Sequence, residues 1–300
     1  MAKRHFNSLT QLRPLLRGIT RILPLVVGLF AASSAFAETK RGLSVGASYG
    51  TIGSDGDKGS LNAFVLRAGY TQPLGANWAF AVDYPVLGTV IDNRQGGDKQ
   101  DSTLAGNPMF QLSKELPLTR KLSLTVGAGL TVGLARALFP SHHPEFVAGF
   151  ISNGNIYPVI SGQIDRPGFV DRLGTLTAPL RLRYVADSGL FLDALASLDA
   201  GLKKDLSFDF RGTLEAGYRK NHLFGSLRGL VFQEVIRQLG KTQLGELDYA
   251  GGQARQVSLE GAIGVEYSNF WLRGSGLYGR YSASQDLTTF AGHLNVGLNF

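Results

Sequence analysis

The sequence lacks cysteine altogether and has few charged residues for its length of 300 residues. Without cysteine, the chain has no disulfide framework. Charged residues make up 18% of the chain, whereas an average soluble domain has about 25%. Hydrophobic residues make up 44%, which excludes a disordered chain. Glycine is abundant at 39 residues without a Gly-X-Y period, which excludes collagen and indicates strands with small side chains on one face.

Long hydrophobic runs are missing after residue 37, where no apolar stretch reaches the ~18 residues that a transmembrane helix needs. The apolar run at 22–30 is also too short to span a bilayer as a helix. It follows a basic segment and precedes a small-residue stretch that ends in Ala35-Phe36-Ala37. This order predicts a secretory signal peptide over residues 1–37, cleaved after Ala37. The alternative, an uncleaved anchor helix, is disfavoured by the short run.

The positive charge of the chain is concentrated in that first segment. The formal net charge is +7, from 30 basic and 23 acidic residues. Residues 1–37 hold five of the basic residues and none of the acidic ones, so 25 basic and 23 acidic residues follow, a net charge of +2. A nucleic-acid partner is therefore not predicted, because the basic character belongs to the exported leader.

From residue 38 onwards, apolar residues recur at every second position, which is the pattern of a β-strand. In residues 121–134, leucine and valine alternate with serine, threonine and glycine. Most segments are longer than a typical soluble strand and match the ~9–11 residues that cross a bilayer. We predict twelve strands, near residues 42–52, 61–72, 76–85, 103–114, 120–135, 173–186, 189–200, 205–219, 222–234, 256–268, 269–282 and 288–300.

The gaps between these segments alternate between short and long. The sequences QPLGA, KELPL and ADSG are short gaps, whereas long loops are predicted near 86–102, 136–172 and 235–255. Outer-membrane barrels have short periplasmic turns and long outer loops. The fold prediction is therefore an all-β, transmembrane, antiparallel up-and-down β-barrel of about 12 strands over residues 38–300, in the outer membrane of a Gram-negative bacterium.

Aromatic residues near the predicted strand ends support a membrane barrel, because their rings favour the membrane interface. One predicted girdle contains Tyr70, Trp78, Phe110, Tyr184, Tyr218, Tyr267, Phe270, Trp271 and Phe300. The last strand ends in Phe300, which resembles the assembly signal of bacterial outer-membrane barrels. The resemblance implies the barrel-assembly machinery as a partner, in addition to outer-membrane lipid.

Charged and polar residues on the other face of the strands are expected to line the lumen, since a charge facing lipid costs ~2–4 kcal/mol. They are either a pathway that selects solutes or a cross-linked plug that stiffens the barrel. Strands nine and eleven are ambiguous, because both faces carry large apolar residues. The predicted lumen-lining and selectivity residues are Arg181, Arg183, Asp193, Asp199, Asp209, Arg211, Glu215, Glu260, His293 and Asn295.

No catalytic, metal or cofactor site is predicted. His142-His143-Pro144-Glu145 is a weak metal or protease-like signal within a predicted loop, and a solvated loop is the preferred interpretation. Asp55-Gly56-Asp57 resembles part of a calcium loop but lacks the later bidentate carboxylate. His293 would need a serine partner that the sequence does not identify.

Residues 66–134 resemble the outer-membrane transporters associated with phenol and other aromatic degradation pathways. The resemblance is carried by a strand ending in Tyr84-Pro85, then Gly106-Asn107-Pro108, then a glycine-rich strand. It implies uptake of small solutes, including hydrophobic or aromatic ones, and no catalytic residues.

The predicted function is a channel or passive transporter. The alternatives are a closed barrel that binds a surface partner and, third, an outer-membrane hydrolase. The apolar stretches within 136–172 favour a constriction of the barrel mouth over a rim cap.

Overall fold

A computed structural model describes residues 41–53, 61–92, 100–134, 136–137, 174–202, 207–237, 255–282 and 286–300. The predicted signal peptide and most of the loop 136–172 lie outside these residues. The strands are β1 (Gly42–Gly53), β2 (Leu61–Gly75), β3 (Trp78–Asp92), β4 (Gln100–Ala105), β5 (Met109–Pro117), β6 (Leu122–Thr131), β7 (Arg136–Ala137), β8 (Thr175–Val185), β9 (Leu190–Gly201), β10 (Ser207–Lys220), β11 (Leu223–Arg237), β12 (Arg255–Glu266), β13 (Phe270–Ser282) and β14 (Asp286–Asn299).

These strands form one closed antiparallel β-barrel. The first and last strands pair along their whole length, from Gly42 opposite Asn299 to Gly53 opposite Thr288. The β4 and β5 segments make one interrupted barrel strand, and β7 extends β6, so the barrel has twelve strands. The predicted fold class and strand number are confirmed. No helix in the described part of the chain is long and apolar enough to cross a bilayer.

The tight turns, the start of β1 and the end of β14 lie at one rim, which we call the turn end. The turns lie at 76–77, 118–121, 186–189, 221–222 and 267–269. Arg41 and Phe300 meet there, with the Phe300 amide donating to the Arg41 carbonyl at 2.9 Å. The opposite rim is the loop end. There β3 continues to Asp92 and β4 begins at Gln100, so the loop predicted at 86–102 is shorter, since its β-branched residues continue the strand.

The two faces of the barrel differ in chemistry. Aliphatic side chains cover the outer face, where Leu214 is 63% exposed and Ile263 is 74% exposed. The alternate positions of the same strands are polar and buried, as with Asp199 at 2% and Glu260 at 1% exposure. An apolar exterior around a polar interior inverts the pattern of a water-soluble sandwich and is that of a transmembrane barrel.

Asn107 closes an irregular place in the barrel wall, where β4 gives way to β5. The side chain is fully buried, and its Oδ1 accepts a 2.7 Å hydrogen bond from the Leu134 amide. Nearby, the Gly106 amide donates to Pro85 O at 2.9 Å. The Gly106-Asn107-Pro108 motif therefore replaces regular ladder bonds with a side-chain bond, so that backbone groups in the wall stay paired.

Three aromatic rings lie over glycines on the inner face near the turn end. Phe191 is directly opposite Gly217, Phe224 opposite Gly264, and Trp271 opposite Gly297. In each case a Cβ on the glycine would overlap the ring. The predicted place of Trp271 in the outer aromatic girdle is therefore wrong. Its neighbour Phe270 takes the other face, because consecutive side chains in a strand point to opposite sides.

Candidate functional site

Charges on the inner face act on each other across the lumen, the space that the barrel encloses. Arg67 lies 3.2 Å from Asp83 on the neighbouring strand. The charge of Arg211, on β10, also acts on Asp83, on β3. Four barrel strands separate β3 from β10 on one side and six on the other, so the two residues extend from nearly opposite walls. The two charges therefore face each other across the lumen.

Two further arginine–carboxylate pairs link β8, β9 and β10. The Nε of Arg181 donates to both Asp193 oxygens, at 2.7 and 2.9 Å. Arg211 Nη2 donates to Asp199 Oδ1 at 2.8 Å. Both geometries are bidentate, which is the strongest form of this interaction. The arginine side chains are 15% and 18% exposed, whereas those of Asp193 and Asp199 are 10% and 2% exposed.

A four-residue charge network spans β10 to β13. Arg228 Nε donates to Glu260 Oε2 at 2.9 Å. Arg273 Nη2 lies 3.2 Å from Glu215 and 3.6 Å from Glu260. Ser226 Oγ donates to Glu215 at 2.6 Å. Because low-dielectric surroundings strengthen such contacts, the network braces this side of the barrel.

Of the remaining predicted lumen residues, the structure places Asp209 directly opposite both Asp199 and Glu234, near the loop end. Asn295 is opposite Arg273, and its Oδ1 occupies the space over Gly46. Arg183 follows Arg181 two positions along β8, and Asp193, Arg219 and Glu266 act on it electrostatically. The predicted residues thus share the inner face but do not form one cluster.

Several charged residues of this face are outside the predicted set. Arg228 and Arg273 belong to the two strands whose faces were ambiguous. The sequence does indicate an inward Arg228, because the two-residue turn at 221–222 places it opposite Glu215. Further ones are Arg67, Asp83, Arg219, Glu234 and Glu266.

His293 has a serine partner, Ser48, on the adjacent strand. Nδ1 and the Ser48 Oγ are 2.8 Å apart, and both side chains are buried. Nε2 has no hydrogen-bond partner in the described structure. A serine–histidine–acid triad needs a carboxylate hydrogen bond on the second imidazole nitrogen, which is not found here. Among the described residues no group of metal ligands is found. His142 and His143 lie outside them.

A cavity of about 50 Å³ opens on the inner face at the turn end. The rings of Phe191, Phe224 and Trp271 form its apolar walls. We call it the turn-end cavity. Its charged lining consists of four arginines and three carboxylates: Arg181, Arg183, Arg219, Arg273, Asp193, Glu215 and Glu266.

The loop half of the inner face also carries buried apolar side chains, beside polar ones such as Asp209 and Glu234. Val65 is 2% exposed, Phe232 5%, and Leu277 5%. They give the lumen a lining in which apolar contacts alternate with polar and charged ones. The members of this apolar inner surface are Ala63, Val65, Leu230, Phe232, Leu277 and Ala291.

The closed barrel, the apolar exterior and the charged lumen define the fold of outer-membrane β-barrels. No protein-family model and no curated protein matches the chain. Among solved structures, the NanC porin is 9% identical, with a TM-score of 0.50, over 86% of this chain and 100% of its own. An outer membrane channel from Pseudomonas putida F1 is 10% identical, with a TM-score of 0.53, over 89% of this chain and 100% of its own. At these identities the likeness concerns the fold.

Proposed function

We propose that this chain is a passive channel for small solutes in a bacterial outer membrane. The observation that carries the proposal is a closed barrel with an aliphatic outer face around a lumen of paired charges that stay partly exposed. The Arg67 and Asp83 side chains are 15% and 12% exposed. Two solved structures of similar fold bear the names of a porin and an outer membrane channel.

Small solutes with an apolar body and a polar group fit this mixed lining best. The apolar inner surface offers contacts to a hydrocarbon or aromatic group, and the charged side chains beside it offer polar contacts. The resemblance of residues 66–134 to transporters of aromatic degradation pathways implies the same class of solute. Ion-pair side chains that extend across the lumen would exclude large molecules by size.

A closed, purely structural barrel is the second candidate, favoured by the near-complete burial of inner residues such as Gln256 and Glu260, each 1% exposed. The two candidates differ in ion conduction. The purified protein is reconstituted into planar bilayers, and the single-channel current is measured. We expect a small conductance that rises in Arg211→Ala, because the shorter side chain leaves more of the lumen open. Arg280→Ala, on the outer face, is the control. Absence of any current in both wild type and Arg211→Ala contradicts the channel and supports the closed barrel.

Two further proposals concern export and assembly. We propose cleavage after Ala37, which the mass of the protein purified from membranes tests directly. We also propose that the strand ending in Phe300 engages the barrel-assembly machinery. Phe300→Ala is expected to lower the amount of assembled protein in the outer membrane. Phe290→Ala, which removes another exposed ring from the same strand, is the matched control. Equal loss in both variants contradicts a special role for Phe300.

A further inference from the structure

We infer that the turn-end cavity is a binding site for the carboxylate group of a small organic anion. The identity of this anion as the solute of the channel rests on the proposed function. The binding of the anion to the cavity does not depend on it. The inference starts from charge. Four arginines and three carboxylates line the cavity, so the lining carries one net positive charge.

One arginine of the lining has a donor whose contact with a carboxylate lacks hydrogen-bond geometry. Arg273 is 7% exposed, and its Nη2 has no hydrogen-bond partner in the described structure, although it lies 3.2 Å from Glu215. A buried guanidinium N–H without an acceptor is costly. A ligand oxygen would supply this acceptor once the guanidinium turns towards the cavity, and the planar guanidinium matches a carboxylate in geometry.

The aromatic walls strengthen such binding. Phe191, Phe224 and Trp271 lie over glycines of neighbouring strands and line the cavity, so they present apolar surface that keeps water from its wall. Charges attract each other more strongly where water is excluded. The same rings offer apolar contact to the carbon atoms beside the carboxylate.

The size of the cavity limits the ligand. A volume of about 50 Å³ exceeds the ~10–15 Å³ that one water needs but is far below the ~150 Å³ of a cavity known to hold benzene. The cavity therefore accommodates a carboxylate group with one or two carbon atoms. A larger apolar body would remain in the lumen.

Trp271 provides a direct reporter of binding. The sequence contains two tryptophans, and the other, Trp78, is on the outer face. In Trp78→Phe, all tryptophan fluorescence comes from the cavity wall. The folded barrel is titrated with sodium acetate and, separately, with ethylammonium chloride, a cation of similar size, at constant ionic strength in sodium chloride. We expect a saturable change with acetate and none with ethylammonium.

Two variants in the Trp78→Phe background test the site. Arg273→Gln should weaken acetate binding at least tenfold, equivalent to about 1.4 kcal/mol, and Arg183→Gln tests the charge requirement if Arg273→Gln fails to fold. Arg120→Gln removes an exposed arginine from a turn at the same end and should bind acetate as the parent does. No saturable acetate signal, or equal affinity in the cavity variants and the control, overturns the inference. Because binding is read without current, a barrel that binds acetate but does not conduct contradicts only the channel proposal.

Discussion

Glu215 on β10 and Arg273 on β13 meet over two intervening strands, with Arg273 Nη2 3.2 Å from the Glu215 carboxylate. Their side chains are 13% and 9% exposed. Because this contact connects two strands that are not neighbours, it stabilises the curvature of the wall as well as the two charges.

Breaking this pair from one side should destabilise the barrel. Arg273→Met leaves the Glu215 carboxylate with its serine donor but without the arginine, at an expected cost of about 3–5 kcal/mol. Adding Glu215→Gln to the same chain should recover part of the loss, because no uncompensated charge remains. Urea unfolding of the reconstituted barrel measures both. Equal stability of the single and double variants would contradict a coupled pair.

The exposed ion pair of Lys121 and Asp187, in two turns at the turn end, should contribute much less to stability than the buried pair of Arg273 and Glu215. The Asp187 carboxylate, by its hydrogen bond and its charge, raises the pKa of Lys121. A raised lysine pKa favours the folded state below the ordinary pKa, and this contribution is lost as pH rises through the raised value. Since water and salt screen exposed pairs, Lys121→Ala should unfold at the wild-type urea concentration at pH 7. A clear shift would show that this pair matters more than its exposure indicates.

Gly297 should not tolerate a side chain, because Trp271 covers it. Gly297→Ala forces the indole or the strand to move, which typically costs about 1–3 kcal/mol. In Trp271→Ala the same substitution should be tolerated. Gly292→Ala is the matched control on the outer face of β14, where the nearest atom is 4.0 Å from the added Cβ. The same loss in Gly292→Ala, measured by urea unfolding, would contradict the steric explanation.

Asn107→Ala should weaken the barrel wall at its interruption. The substitution removes the side-chain acceptor of the Leu134 amide, which then keeps only its 2.9 Å bond to the Val132 carbonyl, at a cost of about 0.5–1.5 kcal/mol. Hydrogen exchange at the Leu134 amide should accelerate by more than the global loss of stability requires. Asn269→Ala, in an exposed turn, serves as the control. Unchanged exchange at Leu134 would mean that another group takes over the bond.

A charge on the outer face should be costly in proportion to its depth in the bilayer. Leu259 is 58% exposed near the middle of β12, and Leu223 is 64% exposed at the start of β11. In lipid vesicles, Leu259→Arg should cost about 2–4 kcal/mol and Leu223→Arg about 0–1 kcal/mol. Similar small effects at both positions would contradict a membrane-facing exterior, because arginine is well tolerated where leucine faces water.

The strands could be predicted from the sequence because each has one face in lipid and one in the lumen, which produces a strong two-residue period. The two-residue period does not show which face of a strand points into the lumen where both faces carry large apolar residues. On β11 and β13, inward Phe224, Leu230 and Leu277 alternate with outward apolar residues, so periodicity alone did not reveal Arg228 and Arg273.

The partners of the interior could not be predicted, because most depend on pairing between strands that are distant in sequence. Contacts such as Arg273 with Glu215 require the curvature of the closed barrel. Trp271 was misassigned because an aromatic residue at a strand end suits either the membrane interface or the lumen. The glycine opposite it, Gly297, decides between them, and that pairing is set by the register of β13 and β14.

The pairing of β1 with β14 has a consequence for how the chain reaches its folded state. The strands that close the barrel come from the two extremes of the folded sequence, so closure waits until the last strand is available. Long-range pairing of this kind slows folding, because the entropy of joining distant segments is lost before the contacts form. A truncated chain without β14 would leave two strand edges unpaired, which favours aggregation. The barrel wall therefore closes only when β14 is present to pair with β1.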